Sequence, residues 1–279
     1  MPAKTPPESS CAIAVMAKAP RTGQVKTRLV PPLTHDLAAQ LSAGFLRDIT
    51  ENILAAARGL AIQGYIAYAP AGFETLFDGL LAPGTRLVLA DGTGEMPLRV
   101  RGFGRCLLHA TEALFAKEFE SVCLLNSDSP SLPTALLLQA AETLAPGGDR
   151  VVLGPAEDGG YYLIGMKAAH AHLFEDIDWS TERVADQTRD RVRELGLDLV
   201  ELAPWYDVDD HAALSRLIRD MSGTVTHRNL TPYPAPATAD CIERLDLCRL
   251  LGLDAQPPEL TDQSLHTAVT ADRSPIFAR

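Results

Sequence analysis

Residues 18–28 carry four cations and one glycine but no acidic side chain, a composition that suits phosphate chemistry. Lysine offers a point charge and arginine a two-pronged donor, so the segment favours polyphosphate binding over the alternative of a solvated basic loop. The spacing matches neither a Walker A loop nor a G-x-G-x-x-G fingerprint. The candidate ligand-binding residues here are Lys18, Arg21, Gly23, Lys26 and Arg28.

Asp128 is the acidic side chain best placed to complement these cations. It follows the apolar run Val122–Leu125, which is typical of a buried strand, and precedes a helix predicted to begin at Pro133. Open α/β sheets bind ligands at the carboxyl ends of their strands. Mg²⁺ is commonly bound there by one or two carboxylates and by phosphate oxygens. Asp128 and its neighbour Ser127 are therefore candidate site residues, although Asp128 could instead cap the following helix.

A second acidic segment, Asp207–Asp210, follows a predicted strand and precedes a helix that starts at His211. Asp207 and Asp209 share a face if the segment is extended, so either could complete a metal site with Asp128. The alternative is that Asp209 or Asp210 caps the helix.

The segment Glu157–Tyr162 combines two acids with a glycine pair. Asp158 could accept hydrogen bonds from sugar hydroxyls or act as a general base, and Gly159 and Gly160 would let the backbone approach a ligand. The alternative is a tight hairpin turn. Ser180 is interpreted as the cap of the next helix.

Strand and helix patterns alternate along the chain, which predicts βαβ units and a mainly parallel sheet with helices on both faces. Strands are predicted at 11–17, 62–69, 86–90, 122–126, 150–155, 161–166 and 197–202. Helices are predicted at 35–58 with Thr34 as N-cap, at 98–118, from Pro133, at 181–195, from His211 and at 239–252.

The composition of the chain argues against several classes of protein. The net charge of −11 argues against a protein that binds a nucleic-acid backbone. The five cysteines are odd in number and form no C-x-x-C pair, which argues against a zinc or disulfide framework. No apolar run is long enough for a membrane span, and the first residues lack a signal-peptide layout, so we expect a cytoplasmic protein without membrane partners.

The composition changes after Met221, where Pro and Thr become frequent. We therefore expect one α/β domain at 1–222 and a Pro-rich appendage with a short helix at 223–279. The appendage could pack on the core or on a second subunit of a homo-oligomer.

Five segments together resemble the DUF2064 family of predicted glycosyltransferases, within the nucleotide-diphospho-sugar transferase (GT-A) superfamily. They are AVMAKAPRTGQVKTRLVPPL (14–33), LLNSDSPSLP (124–133), LGPAEDGGYYLIGM (153–166), DWSTERV (178–184) and DVDDHAAL (207–214). The first is also similar to the VK-x-[ST]-RL stretch of 2-phospholactate guanylyltransferases. Where relatives often carry a Gly-Asp-Leu-Gly-type segment, this chain has GTGEMPLRVRGFG (92–104).

The resemblance implies a GT-A fold, Rossmann-like, that binds a nucleotide with Mg²⁺ or Mn²⁺. It implies Asp128 and Asp209 as metal ligands, although Asn126-Ser127-Asp128 lacks the first carboxylate of a D-x-D motif. It further implies Lys26 and Arg28 as catalytic cations near the phosphates, and Asp158 near the sugar or the acceptor.

The expected function is a metal-dependent transferase that uses a nucleotide or nucleotide-sugar donor and a small-molecule acceptor. The four cations of residues 18–28 suit a triphosphate, which favours nucleotidyl transfer slightly. Glycosyl transfer from an NDP-sugar is the alternative, and a non-catalytic nucleotide- or sugar-binding protein is a third.

Overall fold

A single seven-stranded sheet forms the centre of the protein. The computed structural model describes residues 11–222 and 230–253. The strands are β1 (Cys11–Lys18), β2 (Ile62–Ala69), β3 (Arg86–Leu89), β4 (Ser121–Leu125), β5 (Arg150–Pro155), β6 (Tyr161–Met166) and β7 (Asp198–Glu201). Their order is β3-β2-β1-β4-β6-β5-β7, and only β6 runs antiparallel to its neighbours. The predicted mainly parallel α/β sheet is confirmed.

Helices cover both faces of the sheet, as predicted. They are α1 (His35–Ala56), α2 (Phe103–Phe115), α3 (Thr134–Leu144), α4 (Val184–Glu194), α5 (His211–Met221), α6 (Pro236–Arg244) and α7 (Leu247–Leu250). Successive strand residues point to opposite faces. In β1, Ile13 and Val15 accordingly join the core under α1, α3, α5 and α6, whereas Ala12 and Ala14 join the core under α2 and α4. Within the described residues no helix combines the length and apolar character that a membrane span requires.

Three predicted helix starts were wrong. The single helix predicted at 239–252 is two helices, α6 and α7, which begin at Pro236 and Leu247. The helix predicted from residue 98 begins at Phe103, because Gly102 adopts φ 53° and ψ −130°, outside the helical region. The helix predicted from residue 181 begins at Val184, and Ser180, in a left-handed conformation with φ 65°, does not cap it. By contrast, the Thr34 hydroxyl accepts a hydrogen bond from the Leu37 amide and caps α1 as predicted.

The order of the strands brings four connecting segments to one edge of the sheet. β1 and β4 are parallel neighbours at the point where the strand order reverses, with β2 beyond β1 and with β6 and β5 beyond β4, and such a switch point is where open α/β sheets form ligand crevices. Because β6 is antiparallel, the turn 156–160 between β5 and β6 lies at the same edge. The segment 205–210 follows β7 and reaches that edge as well.

In the predicted appendage, 223–279, the structure describes residues 230–253, and the segment 236–250 packs against α1. Asp48 of α1 is fully buried, and its carboxylate accepts the Ala237 amide at 2.8 Å and the Thr238 amide at 2.6 Å. An anion at a helix N-terminus is stabilised by these unpaired amides and by the helix dipole. Cys241 and Ile242 extend the α1 core. Residues 223–229 and 254–279 lie outside the described residues, so the division at 222/223 stays a proposal.

We expect Asp48→Ala to destabilise the protein by about 2–3 kcal/mol, because two charge-assisted hydrogen bonds are lost and two buried amides lose their acceptor. Urea unfolding measures this effect. Asp240→Ala, which removes the same charge from an exposed position on α6, is the matched control and should change stability by less than about 0.5 kcal/mol. Equal effects of both substitutions would contradict the role given to Asp48.

Candidate active site

The loop after β1 meets both acidic segments at a single ammonium group. Lys26 Nζ lies 2.6 Å from Asp128 Oδ1 and 3.2 Å from Asp209 Oδ1, and it donates a hydrogen bond to the Val208 carbonyl oxygen at 2.6 Å. The Lys26 side chain is 5% exposed, whereas the Arg28 side chain is 71% exposed and lies 3.5 Å from Asp209. Three segments far apart in sequence therefore converge, as the sequence predicted.

The two acids are held by backbone contacts that leave their carboxylates available. The Val208 amide donates to the Asp128 carbonyl oxygen at 2.8 Å, and the Ser129 hydroxyl donates to the Tyr206 carbonyl oxygen at 3.0 Å. These bonds tie the segment after β4 to the segment after β7. The Ser127 hydroxyl lies 3.2 Å from Asp128 Oδ1. The positions of Asp128 and Asp209 follow from this pairing of backbones.

The alternative role as a helix cap does not apply to Asp128 or Asp209, but it is confirmed for Asp210. Helix α3 begins at Thr134, well beyond Asp128. Its N-cap is Pro133, which the sequence predicts instead as the first residue of the helix. Asp210 caps α5, because its side chain accepts the Ala213 amide at 2.8 Å. Asp209 is therefore left to face Lys26 and Arg28.

An open cleft of about 370 Å³ lies beside this cluster. Its charged end is formed by Lys18, Lys26, Arg28, Ser127, Asp128 and Asp209. Its other end, over the carboxyl ends of β2 and β3, is formed largely by small or apolar residues, among them Ala67, Ala69, Ala90, Phe103 and Cys106. The sequence pattern does not reveal these residues, since alanines and a half-exposed phenylalanine carry no chemical signal of their own.

The structure does not bring the remaining predicted residues into this cleft. The Arg21 guanidinium lies over the Phe73 ring, 4.0 Å from its centroid. Gly23 has φ 76° and lies outside the cleft lining, so its role in binding stays a prediction. Asp158 Oδ1 accepts the Gly160 amide at 2.8 Å, and Gly159 packs on the backbone of Glu182. These contacts support the hairpin-turn interpretation of residues 157–160.

Asp207 adds a third acid to the cluster, beside Asp128 and Asp209. Burial, and then the nearby charges of Asp158, Asp209 and Asp128, raise the pKa of this carboxyl from its ordinary 3.8 to about 6. The sequence had placed Asp207 on the same face as Asp209 without separating the two. A perturbed carboxyl beside other acids is typical of functional sites.

Asp207 should make the folded protein less stable as pH rises. Its folded pKa lies above its unfolded value, so the folded state binds the extra proton between pH 4 and 6, and stability falls across that window. Because the side chain is only half-buried, we expect Asp207→Asn to stabilise the protein at pH 7.5 by only about 1–2 kcal/mol, and by almost nothing at pH 4. Urea unfolding at several pH values measures this difference. A pH-independent difference between variant and wild type would contradict it.

The cluster fits a nucleotide-bound divalent ion. Two carboxylates and a backbone carbonyl already surround one cation, the Lys26 ammonium. Across the described residues, no three His, Cys, Asp or Glu side chains converge to hold an ion by themselves. Mg²⁺ commonly takes one or two carboxylates and completes its shell with phosphate oxygens and water. Asp128 and Asp209 could hold such an ion on a phosphate-bearing ligand.

The fold is that of the nucleotide-diphospho-sugar transferases. A crystal structure from Desulfovibrio desulfuricans G20, provisionally described as a nucleotide-diphospho-sugar transferase, matches with a TM-score of 0.70 and 27% identity, over 88% of this chain and 98% of that chain. The family model DUF2064, described as an uncharacterized protein conserved in bacteria, matches residues 53–181. The resemblance to this family is therefore confirmed.

More distant likenesses share parts of the architecture. CMP:2-keto-3-deoxy-manno-octonic acid synthetase complexed with CTP gives a TM-score of 0.49 at 12% identity, over 78% of this chain and 100% of that chain. Glucosyl-3-phosphoglycerate synthase from Mycobacterium tuberculosis, in complex with Mn²⁺, UDP and phosphoglyceric acid, gives a TM-score of 0.45 at 12% identity, over 88% of this chain and 79% of that chain. At these TM-scores neither supports an inference about this chain. Comparison with curated proteins finds no match.

Proposed function

We propose that this protein is a nucleotide-dependent transferase whose donor binds in the cleft beside Lys26, Asp128 and Asp209. The convergence of these three side chains on one atom, Lys26 Nζ, is the observation that carries the proposal. Two acids at the switch point suit a metal–diphosphate, and the small residues at the far end of the cleft leave room for the rest of a nucleotide.

Glycosyl transfer from an NDP-sugar is the reaction that the geometry supports best. Of the four cations in residues 18–28, Arg21 lies on Phe73, outside the cleft lining. Lys18 and Arg28 line the cleft, and Lys26 can add its charge there only by exchanging its two aspartates for phosphate. That charge suits a diphosphate leaving group. The 27%-identical neighbour, provisionally described as a nucleotide-diphospho-sugar transferase, supports the same reaction.

In this reaction an acceptor hydroxyl attacks the anomeric carbon, a new C–O bond forms, and the bond to the diphosphate oxygen breaks. Lys18 and Arg28 stabilise the negative charge that develops on the departing diphosphate. A divalent ion, when bound by Asp128 and Asp209, would add electrostatic stabilisation of the same charge. Asp158 lies on the adjacent turn, outside the cleft lining, and is the proposed proton acceptor for a hydroxyl that approaches from that turn, because it is close enough to Asp207 to raise the pKa of that carboxyl.

Nucleotidyl transfer from an NTP is the second candidate. Lys18, Lys26 and Arg28 all line one cleft, and three cations suit a triphosphate if Lys26 exchanges its aspartates for phosphate. An acceptor phosphate or hydroxyl would then attack the α-phosphorus, and pyrophosphate would leave.

A thermal-shift panel of NTPs and NDP-sugars, with and without Mn²⁺, tests the proposal. At about a hundred times Kd, a true donor should raise Tm by about 5 °C, and only with Mn²⁺. Release of NDP from a stabilising NDP-sugar would support glycosyl transfer, whereas exchange of labelled pyrophosphate into an NTP would support nucleotidyl transfer. No shift with any nucleotide would contradict the whole proposal, and binding without either reaction at any acceptor tested would favour a non-catalytic binding protein.

A further inference from the structure

The Lys26 ammonium is unusually well satisfied for a group expected to bind phosphate. An ammonium has three N–H donors. Three oxygens, on Asp128, Asp209 and Val208, lie 2.6–3.2 Å from Nζ. The side chain is 5% exposed, and Nζ also lies 5.3 Å from the centroid of the Phe45 ring. Lys26 is therefore directed at the acids and away from solvent.

The backbone supports this orientation. Lys26 has φ 49° and ψ 37°, a left-handed conformation that a lysine adopts only when its surroundings fix it. The short helical turn Thr27–Leu29 follows directly, with Leu29 fully buried in the core. The loop is thus anchored directly after the point from which the Lys26 side chain reaches the two aspartates.

A divalent ion and the Lys26 ammonium cannot share these carboxylates at close range. Nζ contacts Oδ1 of both carboxylates, so an ion that bridges Asp128 and Asp209 would lie next to the ammonium. Two cations in contact repel each other strongly in a partly buried site. Displacing Lys26 without a new partner would leave a buried charge unpaired, which is costly. A phosphate group bound in the same cleft would provide that partner.

We propose that Lys26 is a positioning residue whose ammonium occupies the divalent-ion position in the nucleotide-free protein. The metal and the nucleotide polyphosphate therefore bind cooperatively. This inference rests on the proposed function, because it takes the cleft as the nucleotide site. The ion binds weakly by itself since it must displace an ion pair. The polyphosphate removes that penalty by pairing with Lys26. Coupling of this kind is reciprocal, so Mn²⁺ strengthens nucleotide binding by the same factor.

The test is Mn²⁺ binding to the nucleotide-free protein, measured by electron paramagnetic resonance of the unbound ion. Lys26→Met keeps most of the aliphatic side chain and removes the ammonium, so it should bind Mn²⁺ about tenfold or more tightly than wild type. Arg28→Gln is the matched control. It removes one positive charge that also lies near Asp209, but from an exposed side chain, and should change Mn²⁺ affinity by less than about threefold.

Two further variants make the result specific. Lys26→Gln replaces Lys26→Met if the latter fails to give a cooperative melt, because glutamine can still donate to the Val208 carbonyl oxygen. Adding Asp128→Asn to the Lys26 variant should abolish the gained Mn²⁺ affinity, which places the ion at Asp128.

Unchanged or weaker Mn²⁺ binding by the Lys26 variants would overturn the proposal, and so would equal tightening in Arg28→Gln, which would indicate a general charge effect. Failure of the proposed function would give a different experimental result. If no nucleotide binds any variant, yet Lys26→Met gains Mn²⁺ affinity, competition between Lys26 and the ion stands while the nucleotide site does not.

Discussion

Replacing Asp128 by asparagine should remove the Mn²⁺-dependent part of nucleotide binding, with a loss of about 100-fold or more in affinity. Asp128 Oδ1 is one of two carboxylate oxygens that contact Lys26 Nζ, and it belongs to the segment after β4, at the switch point of the sheet. An asparagine keeps the shape of the side chain but loses the charge that a divalent ion requires. Isothermal titration of the most stabilising nucleotide, with and without Mn²⁺, measures the loss.

Asp210→Asn is the control for this substitution. It removes a charge next to Asp209 in sequence, and asparagine caps a helix about as well as aspartate, so α5 should be unaffected. We expect Mn²⁺-dependent binding within about threefold of wild type. Full Mn²⁺-dependent binding in Asp128→Asn would exclude Asp128 from the site.

Gly159→Ala should destabilise the fold by about 3 kcal/mol or more. A Cβ atom at Gly159 would lie 2.2 Å from the Glu182 carbonyl oxygen, and backbone cannot move aside as a flexible side chain can. The Gly159 carbonyl oxygen also accepts the Ala185 amide at 2.9 Å, so the close approach joins the turn to the start of α4. Thermal or urea unfolding measures the loss.

Gly23→Ala separates the steric clash from backbone strain. Gly23 has φ 76°, close to the 89° of Gly159, but a Cβ there meets no atom within 4 Å. The control should therefore cost only about 1 kcal/mol, from the left-handed conformation. If both substitutions cost the same, the contact with Glu182 does not matter, and a role of Gly159 in approaching a ligand would regain support.

Much of the fold could be predicted from the sequence because its local signals agree with one another. The apolar runs that became β1 and β4 are short and flanked by polar turns, and Thr34 precedes a long amphipathic stripe. Helix starts were harder to predict, because they depend on a single backbone angle. The φ of 53° at Gly102, which delays α2, leaves no pattern in the neighbouring residues.

The site was predictable in part for the same reason. Parallel neighbouring strands bring the loops after β1 and β4 together, so the meeting of Lys26 with Asp128 follows from topology. Residue types do not show what each side chain contacts. The position of Arg21 over Phe73 and the burial of Asp207 both depend on packing between distant segments, which the sequence pattern does not reveal.

Anomalous diffraction at the manganese edge tests the central claim most directly. Crystals of the wild-type protein would be grown with MnCl₂ and the nucleoside diphosphate that gives the largest thermal shift. We predict one manganese peak in contact with the Asp128 and Asp209 carboxylates, with the diphosphate in the adjoining cleft and Lys26 turned from the acids to phosphate. A manganese–diphosphate complex bound at another edge of the sheet, with Lys26 still between its two aspartates, would contradict the account.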